Sequence, residues 1–156
     1  MTSTSIGFLP EEVRTDESTR AAKLKWVVVV DGALPGGQAV NAAVCVATAT
    51  SVNIAGLLGP DGADATGSAH PGLPWAGCSI LAADTGQLRD IRARAAARAD
   101  VFVADMPSQA QHTRVYDEYL GHLADAGDDE ITYCAVSIVG PRNAVDKLVK
   151  KLPLLP

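Results

Sequence analysis

Hydrophobic positions fall into two rhythms along this chain. Continuous runs of apolar and β-branched residues occur at Leu24–Val30, Gly77–Ala82, Val101–Ala104 and Ile131–Val139. Such runs predict strands, and the uninterrupted ones predict strands buried on both faces. Between them the period lengthens. Gln38–Ala49 is rich in Ala and Val and predicts a helix buried over much of its surface. Asp84 or Thr85 caps a helix running to Ala99, in which Arg89, Arg92, Arg94 and Arg98 alternate with Leu88, Ile91, Ala95 and Ala96. Pro107–Ala124 predicts a third helix through Val115, Tyr119, Leu120 and Leu123, and a last helix starts at Pro141 and runs to Leu152.

Strand and helix alternate four times, which predicts an α/β domain with a mostly parallel sheet covered on both faces. The domain spans residues 23–156. Residues 1–22 predict an N-terminal arm: Thr2, Ser3, Thr4 and Ser5 are of flexible type, Ile6, Phe8 and Leu9 offer apolar anchors, and Pro10-Glu11-Glu12 opens a helical turn. Residues 52–58 read as a short extended piece, and 59–76, with its Gly59-Pro60-Asp61-Gly62 turn, as a long irregular loop.

Composition narrows the function classes. At 47% hydrophobic, the 156 residues can bury a core. A net charge of −5 works against nucleic-acid binding, which needs Lys and Arg to displace phosphate counterions. The arm is polar and acidic, without a secretory pattern, and Trp26–Val30 is too short to span a bilayer. Cys45, Cys78 and Cys134 have no metal-type spacing and lie in apolar contexts, so they read as buried, reduced thiols in a cytoplasmic protein.

The strand Lys25–Asp31, the turn Leu34-Pro35-Gly36-Gly37 and the helix Gln38–Ala43 resemble the opening of type-2 peptidyl-tRNA hydrolases. The Gly140-Pro141 turn, the Val145-Asp146-Lys147 helix and the Leu152-Pro153-Leu154-Leu155 tail resemble the close of that fold, and Asp105 matches the strand-end Asp. A family of uncharacterised bacterial proteins is similar in the same strand and helices, in Asn41, and in the patch Gln111-His112-Thr113-Arg114. The resemblance covers residues 24–156. It implies a three-layer α/β/α sandwich with a mixed four-stranded sheet, strand order 2-1-4-3, the fourth strand antiparallel, helix 107–124 as an insertion, and a homodimer. The hydrolases carry a Lys in the glycine turn, where this chain has Gln38 or Ala39, and follow the Asp with a glycine, a basic residue and a Thr, where it has Met106-Pro107-Ser108-Gln109.

Candidate site residues follow from the expected sheet edge, since ligands bind at the carboxyl ends of parallel strands. Asp31 and Asp105 end two strands and form a potential carboxylate pair or turn caps. Gly37 and Gln38 bring N–H groups to a helix start, and Asn41 lies one turn further on. Asp105 and His112 are the candidate catalytic pair, and Arg114 a candidate anion contact. His70, near Asp61 and Asp64, has no established ligand spacing, and no metal or cofactor is assigned. The reading is a binder of a small polar ligand, with a divergent hydrolase using Asp105 and His112, or a non-catalytic dimeric module, as the alternatives.

Overall fold

The computed structural model describes residues 5–156; the flexible character read at Thr2, Ser3 and Thr4 lies outside them. In chain order the elements are β1 (Leu24–Asp31), α1 (Gly36–Asn53), β2 (Gly62–Ala63), β3 (Ala69–His70), β4 (Ser79–Ala83), α2 (Thr85–Ala96), β5 (Phe102–Pro107), α3 (Gln109–His112), α4 (Tyr116–Asp125), β6 (Tyr133–Pro141) and α5 (Arg142–Leu148). The main sheet has the order β4-β1-β6-β5. β4 runs parallel to β1, whereas β6 is antiparallel to both β1 and β5. This is the expected order and the expected antiparallel last strand.

The two central strands are the longest and most apolar. Val27–Val30 is buried throughout, as is β6 from Tyr133 to Gly140. Alternate side chains enter separate cores. Trp26, Val28 and Val30 join Ala39, Ala42 and Val46 of α1 on one face. Val27 and Val29 join Leu88 and Ile91 of α2 and Val145 and Leu148 of α5 on the other. The free edge of β4 is covered by the carboxyl-terminal tail, where Ala82 N–H donates to the Pro153 carbonyl (2.9 Å) and Leu155 N–H to that of Ile80 (3.0 Å). That contact satisfies groups an edge strand would otherwise expose.

One polar chain crosses the first core. Trp26 Nε1–H donates to Ser137 Oγ at 2.8 Å, and Ser137 Oγ lies 2.7 Å from Thr50 Oγ1. Thr50 in turn donates to the Val46 carbonyl at 2.7 Å. A hydroxyl has one proton, so Ser137 must donate to Thr50 and the three bonds run in one direction.

Several boundaries differ from the sequence expectation. Helix α1 continues to Asn53, absorbing Val52 and Asn53 from the expected extended piece. It is also far more exposed than its composition suggested: among its residues only Ala39, Ala42, Val46 and Thr50 are buried, while Val40, Val44 and Val52 face outward. Helix 107–124 is broken. Pro107 completes β5, and the chain turns extended at Thr113 between α3 and α4. Thr113 and Val115 are β-branched, and Thr113 Oγ1 donates back to the Gln109 carbonyl (3.2 Å). α2 stops at Ala96 and α5 at Leu148. Cys134 is buried, but Cys45 and Cys78 are exposed, which corrects the expectation of three buried thiols. Alanine-rich helix context did not imply a core-facing position for Cys45.

The chain before β1 packs against the domain. Phe8 is buried, its N–H donates to the Ala55 carbonyl (2.8 Å), and its ring lies 4.9 Å from that of Trp75. Residues 59–76 are also more organised than a loop. β2 and β3 form a small antiparallel hairpin, and Trp75 Nε1–H donates to the Gly56 carbonyl at 2.7 Å.

Candidate functional site

β5 is the edge strand that the tail does not cover. α1 packs on one face of it and α2 on the other, and α3 follows it directly in the chain. A groove of about 640 Å³ opens between α1, the end of β5 and the segment from Ala110 to Tyr119. Asn41, Val44 and Thr48 line it from α1, spaced by three or four residues and so on one helix face. Asp105, Met106 and Pro107 line it from β5. Thr113, Arg114, Tyr116 and Tyr119 line it from the opposite wall.

The groove therefore gathers three residues singled out from the sequence, Asn41, Asp105 and Arg114, from three separate elements. Asn41 is exposed, with Cys45 Sγ 4.0 Å from its Oδ1. Arg114 is exposed and makes no ion pair among the described residues. Asp105 already has a partner. Arg92, reaching from α2, donates its Nε–H to Asp105 Oδ2 at 3.0 Å. Burial works against the Arg92 charge, yet the bond to Asp105 and the neighbouring anions hold its pKa above the usual value. Its guanidinium also lies 5.6 Å from the centre of the Tyr133 ring.

Tyr119 packs edge-on against Tyr116, with ring centres 5.4 Å apart. Burial, then the neighbouring Tyr116 and the Asp105 carboxylate, push its pKa up. Tyr119 accordingly keeps its proton at neutral pH and offers a hydroxyl donor rather than a base.

Residues 24–156 match the family described as "Protein of unknown function (DUF2000)". The chain belongs to this family. The solved structure of a protein of unknown function, Atu0240, from Agrobacterium tumefaciens strain C58 superposes with a TM-score of 0.78 at 18% identity. The match covers 85% of this chain and 97% of that one. At that identity the likeness speaks to the fold alone. No curated protein matches the chain.

The other sequence candidates lie apart from the groove. His112 ends the one-turn α3 and is exposed, and its side chain makes no hydrogen bond among the described residues; none joins it to Asp105. Asp31 and Asp105 are not a pair. Their strands are separated by β6, which at sheet spacing places the backbones about 10 Å apart. Asp31 Oδ1 accepts the Ala33 N–H at 2.9 Å and closes the turn after β1. Gly36 and Gly37 open α1 with nothing within 4 Å of where a Cβ would sit. Neither a tight turn nor close packing explains them. Gln38 does not line the groove; its carbonyl accepts from Gln111 Nε2 at 3.2 Å and ties the start of α1 to α3.

Sequence reasoning missed Arg92, Tyr119 and Thr48. Arg92 is one of four arginines at similar spacing, and nothing local distinguishes the one that reaches across to β5. In the hairpin, His70 Nε2 lies 3.5 Å from Asp64 Oδ2, while Asp61 Oδ1 accepts the Gly72 N–H at 2.8 Å. No group of three or more His, Cys, Asp or Glu suited to a metal occurs among the described residues.

Asp64 instead organises its own turn. It accepts from Thr66 Oγ1 (2.6 Å) and from the N–H groups of Ser68 (3.1 Å) and Thr66 (2.8 Å). The Thr66 hydroxyl, then the two backbone donors, lower its pKa from 3.8 to about 2. A depressed folded pKa means that this contribution is complete above 3.8 and fades as pH falls towards about 2. An NMR titration should place the Asp64 carboxyl midpoint near the lower value. A midpoint at 3.8 means the turn does not form these bonds in solution.

Proposed function

We propose that the protein binds a small molecule with polar and apolar parts in the groove between α1 and α3–α4, and that it does so without peptidyl-tRNA hydrolase chemistry. The observation that carries this reading is the convergence of Asn41, Asp105 and Arg114 on one concavity of about 640 Å³. Sites for small ligands are concave, largely apolar and furnished with a few convergent polar groups. Here Val44, Met106 and Val115 supply the apolar surface, and Thr48, Thr113 and Tyr119 add hydroxyls. Arg114 offers a cation to an acidic group on the ligand.

The strand order and the antiparallel last strand support a peptidyl-tRNA hydrolase-like fold. The chemistry does not follow the fold. The position of the hydrolase Lys holds Gln38 or Ala39, Asp105 is bound to Arg92, and His112 lies outside the groove. No nucleophile and base stand within hydrogen-bond reach there, which disfavours the Asp105–His112 hydrolase.

The test is a thermal-shift screen of metabolites on the wild type, followed by Asn41→Ala and Arg114→Ala. Both residues are exposed with few contacts, so the fold should be unaffected. A ligand that stabilises the wild type should bind each variant about five- to tenfold more weakly, the worth of one hydrogen bond of about 1–1.5 kcal/mol. A screen without any stabilising compound, or a ligand indifferent to both substitutions, sinks the reading.

A second reading, a homodimer, is favoured by the outer face of α1, where Val40, Val44 and Val52 are 62%, 57% and 81% exposed. If α1 packs against a second copy, light scattering should give twice the 16.1 kDa chain mass, and Val44→Asp should restore the single mass. A wild type that already runs at the single mass excludes it.

A further inference from the structure

At the opposite end of the sheet, a hollow of about 400 Å³ lies where four elements meet: the short helical turn Thr19–Ala21, the start of β1, the start of β4 and the start of α5. Its lining differs in kind from that of the groove. Arg20, Lys25 and Arg142 all border it, together with the hydroxyl residues Thr19 and Ser79, and no carboxylate does. In a chain of net charge −5, three basic residues bordering one concavity without a carboxylate are a local reversal of sign.

Their partners leave most of that charge unanswered. Arg142 is fixed by its Nη2, which donates to the carbonyls of Thr19 (3.1 Å) and Ala22 (3.5 Å), and it has no carboxylate partner among the described residues. Arg20 makes no side-chain hydrogen bond or ion pair among them. Only Lys25 is matched, by Asp146 from outside the hollow. The Thr19 and Ser79 hydroxyls donate to no other described residue. Like charges held around one hollow repel, and an anion between them removes the repulsion.

We propose that this hollow is a binding site for a phosphate-bearing small molecule. A tetrahedral phosphate presents oxygens in several directions and so can meet cations from three separate elements, with the hydroxyls as further donors. A planar carboxylate offers two oxygens and is best met by one guanidinium fork. Arg142 is the anchored ligand, held by backbone carbonyls of the segment before β1, and Arg20 closes the site from that same segment. The site is separate from the groove at β5 and does not depend on it.

Calorimetric titration of the full chain with pyrophosphate, at fixed ionic strength, tests this. Saturable one-to-one binding is expected, with Arg20→Gln and Lys25→Gln each weakening it about tenfold, in line with the loss of a charge-assisted bond. Citrate, the carboxylate comparison, should bind at least about tenfold more weakly than pyrophosphate. Asn41→Ala, in the other groove, should bind pyrophosphate as the wild type does. Arg142→Gln removes contacts that hold the Thr19–Ala22 backbone and can unfold that segment, so Arg20→Gln, exposed and without partners, is the deciding variant. The proposal is overturned by the absence of saturable binding at millimolar pyrophosphate, by Arg20→Gln binding as wild type, by equal affinity for citrate, or by loss of binding in Asn41→Ala.

Discussion

Ser137→Ala should lower the unfolding free energy by about 2 kcal/mol, although it removes a single oxygen. Ser137 is fully buried at the centre of β6, opposite Val28 on β1 and Ala104 on β5. Its Oγ is the only described acceptor of the Trp26 indole N–H, and Trp26 is itself buried. Alanine leaves that N–H without a partner in an apolar core, and an unmade buried bond costs about 1–3 kcal/mol, more than the net worth of a made one. At Thr50 the loss is smaller, because its own proton remains bonded to the Val46 carbonyl. An unpartnered indole N–H produces an asymmetry that simple loss of packing does not. In a Trp26→Phe background no indole N–H exists, and Ser137→Ala should then cost less than about 1 kcal/mol. Denaturant melts of the four proteins measure the coupling. Equal costs of Ser137→Ala in both backgrounds would refute the account, leaving cavity formation as the cause.

How far the sequence disclosed this molecule depends on whether the signal was local. The run Val27–Val30 is β-branched and unbroken, so it announces an interior strand on its own. The alternation of strands and helices announces the layers. Strand order and the antiparallel β6 came from resemblance at the two ends of the chain, since periodicity alone is silent about order. Helix α1 shows the limit of pattern reading. Its buried residues, Ala39, Ala42, Val46 and Thr50, recur at helical spacing, but Val40, Val44 and Val52 on the exposed side are as apolar, so no polar stripe marks which side faces the core. The hairpin of β2 and β3 escaped because two-residue strands, Gly62–Ala63 and Ala69–His70, hold no β-branched or aromatic strand former and are too short to show alternation. For the site, Asn41, Asp105 and Arg114 were chosen on residue type and place in the fold, and the groove unites them. His112 is placed by the expected helix 107–124, seven residues after the strand-end Asp105; in the structure it ends the one-turn α3 with an exposed side chain that meets no hydrogen-bond partner among the described residues. Arg92–Asp105 links residues thirteen apart on different layers, a contact that no local rule selects.

The second large effect is expected at a glycine whose role is invisible in the sequence. Gly72→Ala should destabilise by about 2 kcal/mol or more, whereas Gly62→Ala in the same segment should stay within about 0.5 kcal/mol. A Cβ on Gly72 would stand 1.9 Å from the Gly59 carbonyl oxygen and 2.8 Å from its carbon, both backbone atoms that no rotamer change can clear. A Cβ on Gly62 meets nothing within 4 Å. The close approach at Gly72 is what closes residues 59–76 at their base, beside the bond from Gly59 N–H to the Leu73 carbonyl (2.8 Å) and that from Gly72 N–H to Asp61 (2.8 Å). Prying those strands apart also displaces Trp75, whose ring supports Phe8 and whose indole holds the Gly56 carbonyl. The damage should therefore reach the segment before β1, and Gly72→Ala should expose Trp75 to quenchers and speed hydrogen exchange at the Phe8 amide before the sheet melts. Gly62→Ala provides the control for composition. If the two substitutions have the same small effect, the base of the segment opens freely and Gly72 is not its clasp.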